Sequence, residues 1–289
     1  MLQTCPVLGC KHDQHCDSSS LDPSGRVLQF VGRPPWLLVA EMSRARYTAM
    51  MLTDSALPTG GFAHSAGLEA AYQQGGVRDR AQLTKWFRRA LLQAGHAQLP
   101  FAGAGHALLA GADAQRLDGA AAAAALGKWR ALDAAAHARA RSNHVACRAS
   151  LSQGSSLLRV GTNWLGDGAR GGRADERGAA EGAAAAAAAA ADAAGGGAEL
   201  LSSMVRATRS PSALEAAAGH QAPIFGVLGA LLELPRRETL EAYMFCSARD
   251  MLSASVRLNL IGPLQALGVQ VIMEISKDPC CEICCEFLK

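Results

Sequence analysis

Residues 220–266 read HQAPIFGVLGALLELPRRETLEAYMFCSARDMLSASVRLNLIGPLQA, and the spacing of their apolar residues decides the fold class. Pro223 stands at a position suited to the first turn of a helix, where a missing N–H costs nothing. Ile224, Val227, Leu228, Leu231 and Leu232 follow on one stripe, and Pro235 stops the run. From 238 the pattern resumes with Leu240, Tyr243, Met244, Ala248, Met251, Leu252, Ser255 and Leu258, until Gly262-Pro263 ends it. Two helices in succession, each with an apolar face to bury, are the expectation.

The same period recurs upstream. In 79–94, Leu83, Trp86, Phe87, Ala90, Leu91 and Ala94 form a stripe, with Asp79 as a candidate cap and Gly95 near the expected end. In 120–149, Leu126, Trp129, Leu132 and Ala136 sit in an Ala-rich frame with Arg139, Arg141 and Arg148 outside it. Convincing runs of β alternation are absent. The fold expected is all-α, a single-domain helical bundle with closely approaching, Ala-packed helices.

Composition sets the boundaries. The chain has 289 residues, 49% apolar but only 5% aromatic, with about a fifth of it Ala and 30 Gly. Residues 1–41 form an irregular leader, 42–267 the helical domain, and 268–289 a divergent tail. Within the domain, 165–199 reads as a flexible Gly/Ala-rich insertion with a transient helix at 183–194, since it offers no large apolar face to bury. A net charge of +3 without a basic cluster argues against a nucleic-acid binder. No stretch is apolar enough to span a bilayer, and the N-terminus lacks the pattern of a secretory signal. Nine Cys in a chain without that signal read as reduced thiols in a cytoplasmic protein.

Three segments hold candidate functional residues. DSALPTGGFAHSAGLE, at 54–69, is a loop entering a helix; Gly60 and Gly61 permit unusual backbone angles, and His64, Ser65 and Glu69 follow. His64 and Ser65 are adjacent, so their side chains diverge on a helix and do not make a catalytic pair. SLSQGSSLLRV, at 150–160, has Ser152, Gln153 and Gly154 but no phosphate-loop pattern and no following Lys, and reads as a close-packed helix position. In the third, His220 precedes a helix as a cap or groove residue. Arg249 and Arg257 lie eight apart, two turns of one face, as solvated charges or a partner surface. Cys280, Cys281, Cys284 and Cys285 cluster in the tail with CxxC spacing, weak candidates for zinc or copper(I), as are Cys10, His12, His15 and Cys16 in the leader. No nucleophile, base and orienting group stand at a catalytic spacing, so no enzyme is expected.

LTDSALPTGGFAHSAGLEAA at 52–71, SLSQGSSLLRV at 150–160 and the block at 220–266 together resemble the three ordered motifs of the UreF family of urease accessory proteins, in its plant-like form. The resemblance covers roughly 45–164 and 200–267, which makes 165–199 an insertion inside one domain. It implies an all-α dimeric scaffold with no reaction of its own. It implies that the scaffold binds UreD (also called UreH), recruits the GTPase UreG, and docks on apo-urease for nickel insertion. Nickel belongs to the pathway, and no stably bound cofactor is implied. Gly60, Gly61, His64, Ser65 and Glu69, then Ser152, Gln153 and Gly154, then His220, Arg249 and Arg257, fall on the family's motifs as partner-facing or junction-organising residues. The pattern departs from the family after Pro263-Leu264, where a further helix and tail are expected and a Cys-rich, truncated end stands instead. Two rival readings are a helical regulator of another GTPase and a metal-binding protein using the Cys clusters.

Overall fold

The computed structural model describes residues 20–21, 27–28, 44–111, 117–170, 182–212 and 216–275. It divides into two units, Met1–Ser43 and Arg44–Lys289. In the first, Ser20–Leu21 pairs antiparallel with Val27–Leu28, a short ladder that the reading of an irregular leader did not include. The rest of the leader lies outside the described residues.

The second unit is all-α among the described residues. Its helices are α1 (Arg44–Leu52), α2 (Leu68–Gln73), α3 (Arg80–Ala107), α4 (Gly119–Ala140), α5 (His144–Arg170), α6 (Gly182–Arg209), α7 (Gln221–Leu231), α8 (Arg236–Arg257) and α9 (Pro263–Ile275). A single 3-10 turn, Gly61–Ala63, lies between α1 and α2. None of these helices is long and apolar enough to cross a membrane.

Helix α7 is the centre of the bundle. Ile224, Phe225, Val227 and Leu228 are buried, and so are Ala222, Pro223, Gly226 and Gly229 on its other faces. The single stripe expected there is therefore a helix enclosed on nearly every side. Its glycines explain how: a Cβ on Gly226 would collide with the Ala102 carbonyl of α3, and one on Gly105 of α3 with the Pro223 carbonyl. The two backbones cross in direct contact, so each helix supplies a glycine where the other's main chain passes. Helices α5 and α8 pack against other sides of α7. On α8, Tyr243 meets Phe225 edge-to-face at a ring separation of 5.2 Å, and its hydroxyl donates to Gln98 Oε1 of α3 at 2.5 Å. Burial pushes the Tyr243 hydroxyl above its ordinary range, with Cys246 and Asp250 adding to the rise.

Side-chain caps account for the starts of α3 and α4. Asp79 accepts from Gln82 N–H at 2.8 Å while Gln82 Oε1 accepts from Arg78 N–H at 2.7 Å, a reciprocal cap. Asp118 caps α4 with a single bond, its Oδ1 accepting the Ala121 N–H at 2.7 Å. Three boundaries differ from expectation. Helix α3 runs through Gly95, which is buried inside it, and through Pro100 to Ala107. The Gly/Ala stretch is helical at both ends, with α5 reaching Arg170 and α6 starting at Gly182. Gly196 and Gly197 are buried, and a Cβ on Gly196 would collide with the Leu117 carbonyl. These glycines act as packing residues rather than helix breakers. Residues 171–181 lie outside the described part. Finally, Pro263 does not simply end α8; it opens α9, whose Ala266 and Val269 are buried as it packs on α8. The boundary placed at 268 thus falls inside a helix.

Candidate functional site: two polar junctions and an apolar groove

The residues singled out in the sequence gather at two junctions. At the first, the loop between α1 and α2 lies against the second half of α8. Gly60 has φ +78°, the left-handed conformation that launches the 3-10 turn. Gly61 is buried, and a Cβ there would collide with the Asp250 carboxylate of α8. Arg249 Nη1 donates to the Thr53 carbonyl at 2.5 Å, and its Nε and Nη2 donate to Asp250 Oδ1 at 3.1 and 3.0 Å. Two turns on, Arg257 Nη1 donates to the Phe62 carbonyl, and its guanidinium lies 4.3 Å from the centre of the Phe62 ring. The loop is therefore clasped at two carbonyls by the two arginines expected on one face of this helix. Phe62, 62% exposed, is held outward at the loop's tip.

Burial raises the Asp250 carboxyl above its ordinary value of 3.8, against the opposing pull of Arg249, His64 and Arg257. His64 thus belongs to the electrostatic surroundings of this junction. Ser65 Oγ accepts a long contact of 3.5 Å from the Glu69 N–H, and Glu69 stands exposed in the first turn of α2.

The second junction is the N-terminus of α7. Asp133 of α4 is fully buried, and its carboxylate accepts three backbone N–H groups. Oδ2 takes those of Ala218 (2.7 Å) and Gly219 (3.0 Å), and Oδ1 takes that of His220 (2.7 Å). Ser150 Oγ of α5 accepts the Gln221 N–H at 3.2 Å. Gly154 faces the Gly219 carbonyl so closely that a Cβ would collide with it. Gln153 is buried beside it, while Ser152 is exposed. The strand of chain entering α7 is thus fixed by α4 and α5 together, and His220 is aimed inward at 2% exposure. Its ring Nε2 lies 3.1 Å from His137 Nδ1 and its Nδ1 lies 3.0 Å from Ser150 Oγ. Burial lowers the His220 pKa, opposed by Asp133 and reinforced by His137, so the neutral ring is favoured.

Asp133, His137, Cys147 and Ser150 were not singled out in the sequence. The one available signal was Asp133 falling between Trp129 and Ala136 on the buried face of α4, an acid where an apolar residue is expected. Cys280, Cys281, Cys284 and Cys285, like Cys10, His12, His15 and Cys16, lie outside the described residues.

An apolar groove of about 710 Å³ opens between α1, α3, α8 and α9. Phe87, Leu91 and Met244 line it together with Met50 and Phe245, which are 58% and 39% exposed.

This is an all-α bundle whose polar residues fix loops onto helices and whose surface carries an open apolar groove. Comparison with known proteins gives the family. The UreF family model matches residues 77–274. Urease accessory protein F of Oryza sativa subsp. indica is 33% identical over 224 residues, covering 78% of this chain and 67% of the rice protein. Urease accessory protein F of Arabidopsis thaliana is 31% identical over 79% of this chain and 77% of its own length. Urease accessory protein UreF of the bacterium Paenarthrobacter aurescens (strain TC1) is 29% identical over 77% and 75%. The chain belongs to the UreF family. The family match continues across 165–199 and beyond 267 to 274, so it takes in all but the last residue of α9.

Proposed function

We propose that this protein is a urease maturation factor, a cytoplasmic and non-catalytic scaffold. It bridges UreD (UreH) and the GTPase UreG on apo-urease while nickel, the cargo of the pathway, is inserted. The observation that carries the scaffold reading is the groove between α1 and α8, on a chain of the UreF family. Met50 and Phe245 stand exposed in its lining, which is mostly apolar with Arg46, Glu238 and Glu241 among it, the form of surface that receives an amphipathic face of a partner. The clasped loop with Phe62 at its tip offers a second rigid contact, and a homodimer fits the same reading.

The test is co-purification with UreD and UreG from the same organism, joined to rescue of urease activity in a UreF-deficient host. Both partners are expected to be retained, and Phe245→Glu is expected to weaken retention at least tenfold with the melting temperature unchanged, as for the loss of a buried interface anchor. Stable binding to neither partner by the unaltered chain would sink the reading. Retention of another GTPase alone would favour a different regulatory role.

A further inference from the structure

The end of α4, the start of α5 and the N-terminus of α7 bring two imidazoles and a thiol to one point. His137 Nδ1 lies 3.1 Å from His220 Nε2 and 4.0 Å from Cys147 Sγ, and each of the three residues offers a ligand atom within 4.8 Å of the other two. A tetrahedral ion with ordinary metal–nitrogen and metal–sulfur lengths needs its ligand atoms roughly 3.3–3.7 Å apart. The His137–His220 spacing is within a few tenths of an ångström of that range, and the Cys147 side chain must move inward, by up to about an ångström, to complete the set.

We propose that His137, Cys147 and His220 form a binding site for a divalent transition-metal ion that prefers nitrogen and sulfur, of the zinc class. The proposal goes beyond the scaffold role and uses none of the cysteines of leader or tail.

Three features separate this cluster from a chance meeting of polar side chains. First, the ring of His220 is oriented by its outer nitrogen. Ser150 Oγ already accepts the Gln221 N–H, and its second lone pair can accept His220 Nδ1–H. In that tautomer the Nε2 lone pair is aimed into the cluster and accepts from His137 Nδ1–H until an ion takes that position, as for a metal-bound histidine whose other ring nitrogen is held by a hydrogen bond. Second, the backbone of His220 is fixed by the fully buried Asp133, so the ligand's position is set before any ion arrives. Third, the site is closed on one side and accessible on the other: His220 and Cys147 are buried, while His137 is half-buried.

Binding is balanced in protons. The ion displaces the proton shared between His137 Nδ1 and His220 Nε2 onto the remote nitrogen of His137, and the Cys147 thiol proton leaves to solvent as the thiolate binds. Three protein ligands leave a fourth position for water or an incoming donor, which suits an exchangeable ion better than a locked structural one.

The test uses the full chain with Cys5, Cys10, Cys16, Cys280, Cys281, Cys284 and Cys285 changed to Ser, so that Cys147 and Cys246 are the cysteines left. Cys246 is buried and its thiol is pushed up to about 11, mainly by burial, so it competes poorly for metal and for alkylating reagents. Zn2+ is titrated by calorimetry, and Co2+ is followed by its thiolate charge-transfer absorption. The expected result is one ion per chain, with that absorption present and alkylation of Cys147 suppressed by Zn2+. Cys147→Ser should abolish the absorption, and both Cys147→Ser and His137→Gln should weaken Zn2+ binding by more than tenfold. His137 is half-buried, so its variant serves if the cysteine variant misfolds. Absence of binding in the parent chain, or binding and absorption unchanged in both variants, overturns the proposal.

Discussion

Asp250 carries a conflict that a single substitution can expose. Its carboxylate accepts from Arg249 and closes over Gly61, yet burial raises its pKa. A carboxyl whose folded pKa exceeds its unfolded value binds protons more tightly in the folded state. Its ionisation therefore removes stability as pH rises from the ordinary value of 3.8 through the raised folded value. Asn at this position does not ionise. Asp250→Asn is expected to gain stability relative to the parent as pH increases across that window, whatever constant offset the lost ion pair adds. Chemical denaturation of both proteins at a series of pH values measures the difference, and a variant that loses stability relative to the parent with rising pH would contradict it. Arg249 and Arg257 were legible at this scale: their spacing put both on one face, and both reach the same loop. Asp250 was legible only as a neighbour of Arg249, because nothing in sequence shows that a glycine 189 positions earlier leaves room for its side chain.

Among the elements, the start of α7 depends most on one residue. Three backbone N–H groups end on Asp133, and without it they would be enclosed without acceptors. Each such loss costs on the order of 1–3 kcal/mol, and relaxation makes the sum smaller than three full penalties. Asp133→Ala is expected to destabilise the protein by about 3–5 kcal/mol in denaturant unfolding, and Asp133→Asn, which keeps one acceptor oxygen, by less. Equal losses in the two variants would show that the loop is held chiefly by other contacts. The helices themselves were readable from period and caps, most clearly in α3 and α8. Their ends were not. Gly95 reads as a helix end, and Gly196 and Gly197 as part of a flexible insertion, because sequence shows the flexibility of glycine but not the neighbouring main chain that needs its small size. The polar cluster at His220 was hidden for a related reason, since His220 stands 83 positions after His137 and its partners on α4 and α5 share no spacing rule with it.

On the scale of the whole molecule, α7 has almost no surface of its own. Among its neighbours, α3 and α5 precede it in the chain and α8 follows it. During synthesis the apolar helix therefore leaves the ribosome before the element that closes over it exists. A nascent chain halted before Arg236 would present Phe225 without Tyr243 and Gly229 without Thr239. Exposed apolar surface of that kind promotes self-association. A fragment ending at Pro235 is expected to sediment as aggregate or bind a hydrophobic dye, while one extended through Ile275 stays monodisperse. A soluble, helical, dye-silent shorter fragment would show that α7 is already covered without α8. The enclosure that gives the finished bundle its centre thus imposes an order on its making: the last helices complete the core, and until they arrive the newest part of the chain needs protection from its neighbours in the cell.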